Sequence, residues 1–320
     1  MSPRRLVFSK QWRKTLRDRW TLPGGGRKAS ATPIGSFVER LRAHRGRGDV
    51  PTPGLAILFI AVAAMVFLWG GIPLQILFRE KGLLAAEWLL LFVPAVLFVV
   101  VGGFDPVRTL SLTMPTGPQA LASVLVIFGA MPLVWVIGWL QTFILPVPWE
   151  LLEGLEDLVT AETTGRLLWL LLLLAATPAM CEEIVFRGVL LGGTRTLDPW
   201  RIIVLNGAVF GAFHLSFETA TRFLPTAVLG MVITWSVWRT GSIWIGALMH
   251  ALNNGTIVVL VSIPRLRALF SDPEAPPPLW LVPVALVIFA AGVEVLRGTT
   301  NPPVTGREAP GLVSPPAETS

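Results

Sequence analysis

Two adjacent carboxylates and an arginine stand at the end of an apolar run in the middle of the chain. Glu182 and Glu183 follow the apolar stretch 167–180, and Arg187 comes four residues after Glu183. On a helix, that spacing favours an ion pair between Glu183 and Arg187, whereas Glu182 points about 100° away. Ionisable groups inside a bilayer cost about 3 kcal/mol each on insertion scales, so they mark functional sites. We therefore interpret Glu182 as the freer carboxylate and as a candidate general base.

Two later apolar segments add histidines and an amide. Phe210 and His214 are four residues apart, and so are His250 and Asn254. This spacing places the members of each pair on one helix face, where they can reach a common point. With the glutamates they predict a buried hydrolytic centre, in which a base activates water and donors stabilise an oxyanion. The alternative is structural: a packing salt bridge, and histidines that bond backbone carbonyls.

Eight apolar windows predict the helices that must position these residues. Hydrophobic residues make up 53% of the 320-residue chain and charged residues 14%, which is typical of a polytopic membrane protein. The predicted fold is all-α, a polytopic membrane helical bundle with about eight transmembrane helices. The windows are 55–78, 83–104, 119–145, 167–191, 200–216, 223–237, 242–263 and 279–296. The sixth is short and the eighth contains Pro283 and Glu294, so seven spans is the alternative count.

Charge patterning divides the chain into three parts. Residues 1–52 are predicted to form a basic cytoplasmic arm and linker, residues 53–298 a transmembrane helical domain, and residues 299–320 a disordered proline-rich tail. The first 50 residues hold 13 of the 26 Lys and Arg, so the amino terminus is predicted to face the cytoplasm. An even number of spans places the carboxyl terminus there too. We expect an integral protein of the plasma membrane.

The basic arm predicts anionic lipid, and not nucleic acid, as a partner. The net charge of +6 is concentrated in one juxtamembrane segment of a very apolar chain. An apolar stripe in this arm is typical of a helix that lies on a membrane, and a disordered topology signal is the alternative. The stripe consists of Phe8, Trp12, Leu16 and Trp20. Cys181 is the only cysteine, which excludes an intrachain disulfide and a thiolate metal cluster.

The three polar motifs carry a family resemblance. In this order they are Glu182-Glu183-x-x-x-Arg187, Phe210-x-x-x-His214 and His250-x-x-x-Asn254. They resemble the motifs of the CAAX protease and bacteriocin-processing (CPBP, or Abi) family of intramembrane endopeptidases, which includes the type II CAAX prenyl endopeptidases. The resemblance covers about residues 167–261 and implies that this segment is the protease core.

The resemblance implies a role for each motif residue in a hydrolase. Glu182 and His214 would activate the attacking water, while His250 and Asn254 would stabilise the oxyanion. The residues that would support them are Glu183, Arg187 and Phe210. The substrate implied by the family is a peptide near a membrane-embedded or lipidated segment.

The preferred mechanism, a glutamate-activated water, requires no cofactor. The alternative is a metalloendopeptidase with Zn²⁺, which would lower the pKa of its bound water to about 7. The chain lacks the His-Glu-x-x-His pattern of the usual compact zinc site. The ligands in that alternative are Glu182, Glu183, His214 and His250.

Two further functions are compatible with the same residues. One is a catalytically inactive membrane scaffold or immunity protein of the same fold, because a fold does not guarantee turnover. The other is a proton-coupled transporter that uses the buried Glu and His as a relay. Transport is disfavoured because the polar clusters have no matching set in the first half of the chain, where the second window contains only Glu87. We expect removal of Glu87 to leave cleavage intact.

Overall fold

Helices make up most of the chain that the structure describes. The structure is a computed structural model, and it describes residues 50–145, 147, 160–215, 220–267, 272 and 274–299. No β-strand occurs within these ranges, which confirms the predicted all-α fold class. The predicted amphipathic stripe and nearly all of the proline-rich tail lie outside the described residues. The helices are α1 Pro53–Phe78, α2 Glu80–Gly102, α3 Pro106–Thr109, α4 Gly117–Thr142, α5 Thr164–Thr194, α6 Pro199–Phe213, α7 Phe223–Thr240, α8 Ile243–Ser262, α9 Pro264–Arg267 and α10 Leu281–Gly298.

Six of these helices, α1, α2, α4, α5, α8 and α10, are long and apolar enough to cross a membrane. All eight predicted windows fall on helices, but the fifth and sixth windows fall on α6 and α7, which are not among the six. Helix α6 has only 15 residues, fewer than a full span of the hydrocarbon core needs. The chain is therefore an integral membrane protein built as a helical bundle.

Helix α5 lies at the centre of the bundle. Of its apolar window 56% is buried, against 17% to 39% in the other five candidate spans. Every residue from 181 to 195 is buried. A helix that is covered on all sides must find protein partners for each polar group it carries, because no lipid or bulk water reaches them. The polar residues of α5 are therefore constrained by the helices around them.

Three π-helical segments interrupt the helices near the predicted site. One spans Glu87–Phe92 within α2, and two lie within α5, at Leu172–Ala176 and Ile184–Leu190. Such segments are rare and occur frequently at functional sites, because each changes the register of the backbone hydrogen bonds. The two segments of α5 lie on either side of Glu182 and Glu183, and the segment of α2 begins at Glu87.

The chain before α4 is joined to both α5 and α8 through Ser111. Arg195 donates a hydrogen bond to Ser111 Oγ at 2.6 Å, and this hydroxyl donates to the backbone oxygen of Arg187 at 3.4 Å. The Ser111 carbonyl accepts from the amide of Ile243, the first residue of α8, at 2.8 Å. Burial, and then the neighbouring charge of Arg108, lower the pKa of Arg195 to about 10, so it stays charged at neutral pH. Ser111 thus connects the two helices that carry most of the candidate site.

Helices α6 and α7 pack closely because glycines line their contact. A β-carbon at Gly207 would lie 2.7 Å from the carbonyl oxygen of Ala227, and one at Gly211 would lie 2.8 Å from the Ala227 β-carbon. This is the close helix approach that a pair of small residues four apart predicts. The contact brings the end of α6, and with it His214, against the rest of the bundle.

We expect Gly207→Ala to reduce stability by about 1 to 3 kcal/mol, because the new methyl group must push α6 away from the α7 backbone. Gly117→Ala is the matched control, since its β-carbon would meet nothing within 4 Å. Thermal unfolding of both variants in detergent measures the effect. Equal melting temperatures for the two variants would show that the contact between α6 and α7 has room for an added methyl group.

Candidate active site

The three sequence motifs meet around the middle of α5. Glu182, Glu183 and Arg187 lie on α5, and the residues of the other two motifs reach them from α6 and α8. Glu182 faces His214, Glu183 contacts His250, and Arg187 lies over the ring of Phe210. Asn254 reaches α5 through the carbonyl of Leu174. The described structure therefore brings six of the seven predicted site residues into one connected cluster, and Asn254 contacts α5 separately, at Leu174.

Glu183 forms the centre of this cluster. Its Oε1 accepts hydrogen bonds from Arg187 Nη1 at 2.7 Å and from His250 Nδ1 at 3.0 Å. The side chains of Glu183 and Arg187 are 1% and 0% exposed, so their ion pair is fully shielded from solvent. Arg187 Nη2 also donates to the carbonyl of Gly230 at 3.2 Å. The predicted ion pair between Glu183 and Arg187 is confirmed, and the Glu183 carboxylate also orients His250.

Phe210 packs against the charged and aromatic groups of the site. The Arg187 Cζ atom lies 4.3 Å from the centroid of the Phe210 ring, a cation–π contact. The rings of His214 and His250 lie 4.7 Å and 5.8 Å from the same centroid. A phenyl ring has no group that exchanges a proton, so Phe210 does not take part in proton transfer. Its contribution is to fix the positions of Arg187, His214 and His250 around its ring.

His214 lies just beyond the end of α6. The predicted window ran to residue 216, but the helix ends at Phe213 and His214 is its C-cap, with φ −92° and ψ 3°. Because a helix end leaves carbonyl groups without backbone partners, His214 Nδ1 donates to the oxygen of Phe210 at 2.8 Å. A neutral imidazole with its hydrogen on Nδ1 carries a lone pair on Nε2. This Nε2 lies 3.7 Å from Glu182 Oε2.

Glu182 is the freer carboxylate of the adjacent pair, as its helical position predicted. Its Oε2 is buried and has no hydrogen-bond partner among the described residues. The distance of 3.7 Å to His214 Nε2 is too long for a direct hydrogen bond. The His214 side chain is 29% exposed, more than any other histidine or carboxylate of this cluster, so the space beside Glu182 can be reached from outside the bundle.

Asn254 is oriented by two amide hydrogen bonds. Its Nδ2 donates to the carbonyl of Leu174 at 2.9 Å, and its Oδ1 accepts from Asn253 Nδ2 at 3.0 Å. Leu174 lies in the π-helical segment Leu172–Ala176, where the altered register leaves carbonyls available to side chains. An amide nitrogen carries two hydrogens, so one remains to donate to another acceptor.

The structure adds Glu87, which the sequence analysis treated as remote from the reaction. Glu87 begins the π-helical segment of α2, is 3% exposed, and has an Oε2 with no hydrogen-bond partner among the described residues. It lies near enough to Glu182 for the two carboxylates to repel each other. The sequence offered one indication of a role, namely that Glu87 is a lone acid in an apolar window. Its position beside Glu182 follows only from the packing of α2 against α5.

The four donors considered for zinc are not gathered around one point in this arrangement. Among the residues that the structure describes, no group of three or more His, Cys, Asp or Glu side chains is placed to hold a metal ion. Glu183 Oε1 accepts from Arg187 and His250, whereas Glu183 Oε2 and Glu182 Oε2 have no hydrogen-bond partner among the described residues. We therefore derive the chemistry from these side chains and water.

Fold and site together define a class of protein: a polytopic helical membrane protein with a cluster of Glu, Arg and His side chains inside its helical bundle. Residues 164–256 match the model of the family described as type II CAAX prenyl endopeptidase Rce1-like. This segment, less than a third of the chain, runs from the first residue of α5 into α8. This match confirms the resemblance found in the motifs. No curated protein and no solved structure matches the chain.

Gly246 provides the space that the Glu183 carboxylate occupies. It lies one turn before His250 on α8, and a β-carbon there would overlap Glu183 Oε2 and lie 2.9 Å from Val237 Cγ2. We expect Gly246→Ala to push Glu183 away from Arg187 and His250, and to lower the free energy of unfolding by up to about 3 to 5 kcal/mol, the cost of breaking a buried ion pair.

The matched control for this variant is Gly255→Ala on the same helix. A β-carbon at Gly255 would lie 3.5 Å from Leu171 Cδ2, an ordinary contact. Thermal unfolding in detergent should separate the two variants. If both variants have the melting temperature of the wild type, Glu183 has room to move and is not held by α8.

Proposed function

We propose that the protein is an intramembrane endopeptidase, a hydrolase that cleaves a peptide bond of a membrane-associated or lipidated substrate. The observation that supports this function most directly is the position of Glu182. Its Oε2 lacks a partner among the described residues and faces His214 Nε2 across 3.7 Å. The family match over residues 164–256 supports the same reaction class.

A water molecule between Glu182 and His214 is the nucleophile in this proposal. Two acceptors 3.7 Å apart suit a water that donates one hydrogen to the carboxylate and the other to the imidazole nitrogen. Both hydrogens are then directed at the protein, and an oxygen lone pair is left to attack the substrate carbonyl. Glu182 takes one proton from the water as the carbon–oxygen bond forms, and later gives it to the leaving amine as the carbon–nitrogen bond breaks.

His250 and Asn254 stabilise the negative oxygen of the tetrahedral intermediate in this proposal. Asn254 Nδ2 has one hydrogen left after its bond to the carbonyl of Leu174. His250 already donates from Nδ1 to Glu183, so its Nε2 can donate only if the ring is an imidazolium. The Glu183 carboxylate stabilises that cation. A preorganised oxyanion donor contributes about 3 kcal/mol to the barrier reduction.

The substrate and the cellular setting follow from the membrane location of the site. We propose that the substrate is a peptide near a membrane-embedded or lipidated segment, which the bilayer would deliver to helices α5 to α8. We further propose that the basic arm, residues 1–52, binds anionic lipid, that both termini are cytoplasmic, and that the protein resides in the plasma membrane.

Removal of either water-activating group should abolish cleavage. We expect Glu182→Ala and His214→Ala to lower kcat by about 10²- to 10⁴-fold, because each removes a proton acceptor for the attacking water. Substrates can be found by labelling new peptide amino termini in membranes from cells that express the wild type or Glu182→Ala. Cleavage of such a peptide by the purified, folded variants is then measured.

The control for both variants is Glu294→Ala, because Glu294 on α10 is 78% exposed and far from these motifs in sequence. Glu87→Ala, which the sequence suggested as a control, is unsuitable because Glu87 lies beside Glu182. Wild-type rates in Glu182→Ala or His214→Ala would reject the assignment. Absence of any cleavage by the wild type in membranes would instead support the scaffold or immunity function.

Catalysis should persist without a bound metal. We expect the purified protein to retain full activity after exhaustive dialysis against a chelator, with metal content far below one ion per chain by elemental analysis. The physical reason is that no three of the described His, Cys, Asp or Glu side chains are placed to share a metal ion, and that Glu183 Oε1 already accepts from Arg187 and His250. Activity that is lost on dialysis and restored by Zn²⁺ would overturn the metal-free mechanism.

A further inference from the structure

Glu87 is a buried acid for which the mechanism above has no use. It begins the π-helical segment Glu87–Phe92, which packs against the turn of α5 that carries Glu182. The residue is 3% exposed, and its Oε2 has no hydrogen-bond partner among the residues described. An acid so buried requires either a partner or a proton, because an isolated ionised carboxylate is costly in an apolar environment.

Among the residues that the structure describes, no cation forms an ion pair with Glu87. Glu182 is the charged group that acts on it, and the other titratable neighbour is the thiol of Cys181, on the same turn of α5. Two carboxylates that are buried side by side repel each other, and one proton held between them removes that cost. The location of that proton decides which of the two can act as a base.

The surroundings of the two carboxylates differ in a way that favours the proton on Glu87. Glu182 faces the imidazole of His214, whose side chain is 29% exposed, so water can reach that carboxylate. Glu87 is only 3% exposed, and its neighbours include the Cys181 thiol and the like charge of Glu182.

We propose that Glu87 is a positioning residue of the active site, held as a neutral carboxylic acid that donates a hydrogen bond to Glu182, directly or through one water. This inference rests on the proposed peptidase function. Glu87 and Glu182 each have an Oε2 without a partner among the described residues, and one shared hydrogen satisfies both atoms. The bond holds Glu182 towards His214 and keeps its carboxylate ionised, in the state that accepts a proton from water.

The activity test compares two substitutions of similar size. In Glu87→Gln the side-chain amide still donates a hydrogen bond, as the neutral acid would, so kcat should stay close to that of the wild type. In Glu87→Leu the donor is lost, and kcat should fall on the order of 10²-fold with KM unchanged, the effect of a reacting group displaced by about 1 Å. Wild-type kcat in Glu87→Leu, or equal losses in both variants, would overturn the proposal.

An infrared measurement tests the proton itself without any need for a substrate. The wild type at neutral pH should show the C=O stretching band of a protonated carboxylic acid, and Glu87→Gln should lack it. Glu294→Gln, which removes an exposed carboxyl group, should retain the band. A band that persists in Glu87→Gln places the proton elsewhere and overturns the proposal.

The two measurements separate this inference from the proposed function. If the wild type cleaves peptide and the band is unaffected in Glu87→Gln, the peptidase function stands and the role of Glu87 is rejected. If the band disappears in Glu87→Gln but the wild type cleaves nothing, the protonated state of Glu87 stands, and its role as a positioning residue falls with the peptidase function. The melting temperatures of both Glu87 variants confirm that folded protein is compared.

Discussion

The arrangement of the site depends on one carboxylate that serves two helices. Glu183 accepts from Arg187 on its own helix and from His250 on α8, in a region where both members of the ion pair are shielded from solvent. A buried charge that loses its partner costs several kcal/mol. Moving either Glu183 or Arg187 out of the ion pair would therefore destabilise the folded protein by leaving the other charge buried and unpaired. The Gly230 carbonyl and the Phe210 ring complete the surroundings of the guanidinium. The geometry of the candidate site and the packing of the helices are therefore secured by the same contacts.

Local spacing predicted the parts of this arrangement that a single helix determines. The interval of four between Glu183 and Arg187 predicted their ion pair, and the 100° rotation between adjacent helical residues predicted that Glu182 would be the freer acid. Apolar windows located the helices because a bilayer demands long runs without charge. The close approach of α6 to α7 also depends on a spacing of four, because Gly207 and Gly211 leave room for the α7 backbone.

Features that depend on other helices, or on backbone irregularity, could not be predicted in this way. Nothing near Glu87 in sequence indicates that its window packs against Glu182, because that contact joins residues about a hundred positions apart. The end of α6 before His214 and the π-helical carbonyl of Leu174 that orients Asn254 are set by tertiary contacts, not by periodicity. Hydropathy also could not distinguish full spans from the shorter α6, since both are apolar.

The location of Arg187 and Glu183 on one helical turn also matters for how the protein enters the bilayer. An unpaired arginine at the centre of a membrane helix costs about 3 kcal/mol at the translocon, and the groups on α7 and α8 that later contact Arg187 and Glu183 are synthesised afterwards. Glu183 emerges from the ribosome just ahead of Arg187 and neutralises it within the same segment. Helix α5 can thus be inserted before its future neighbours exist.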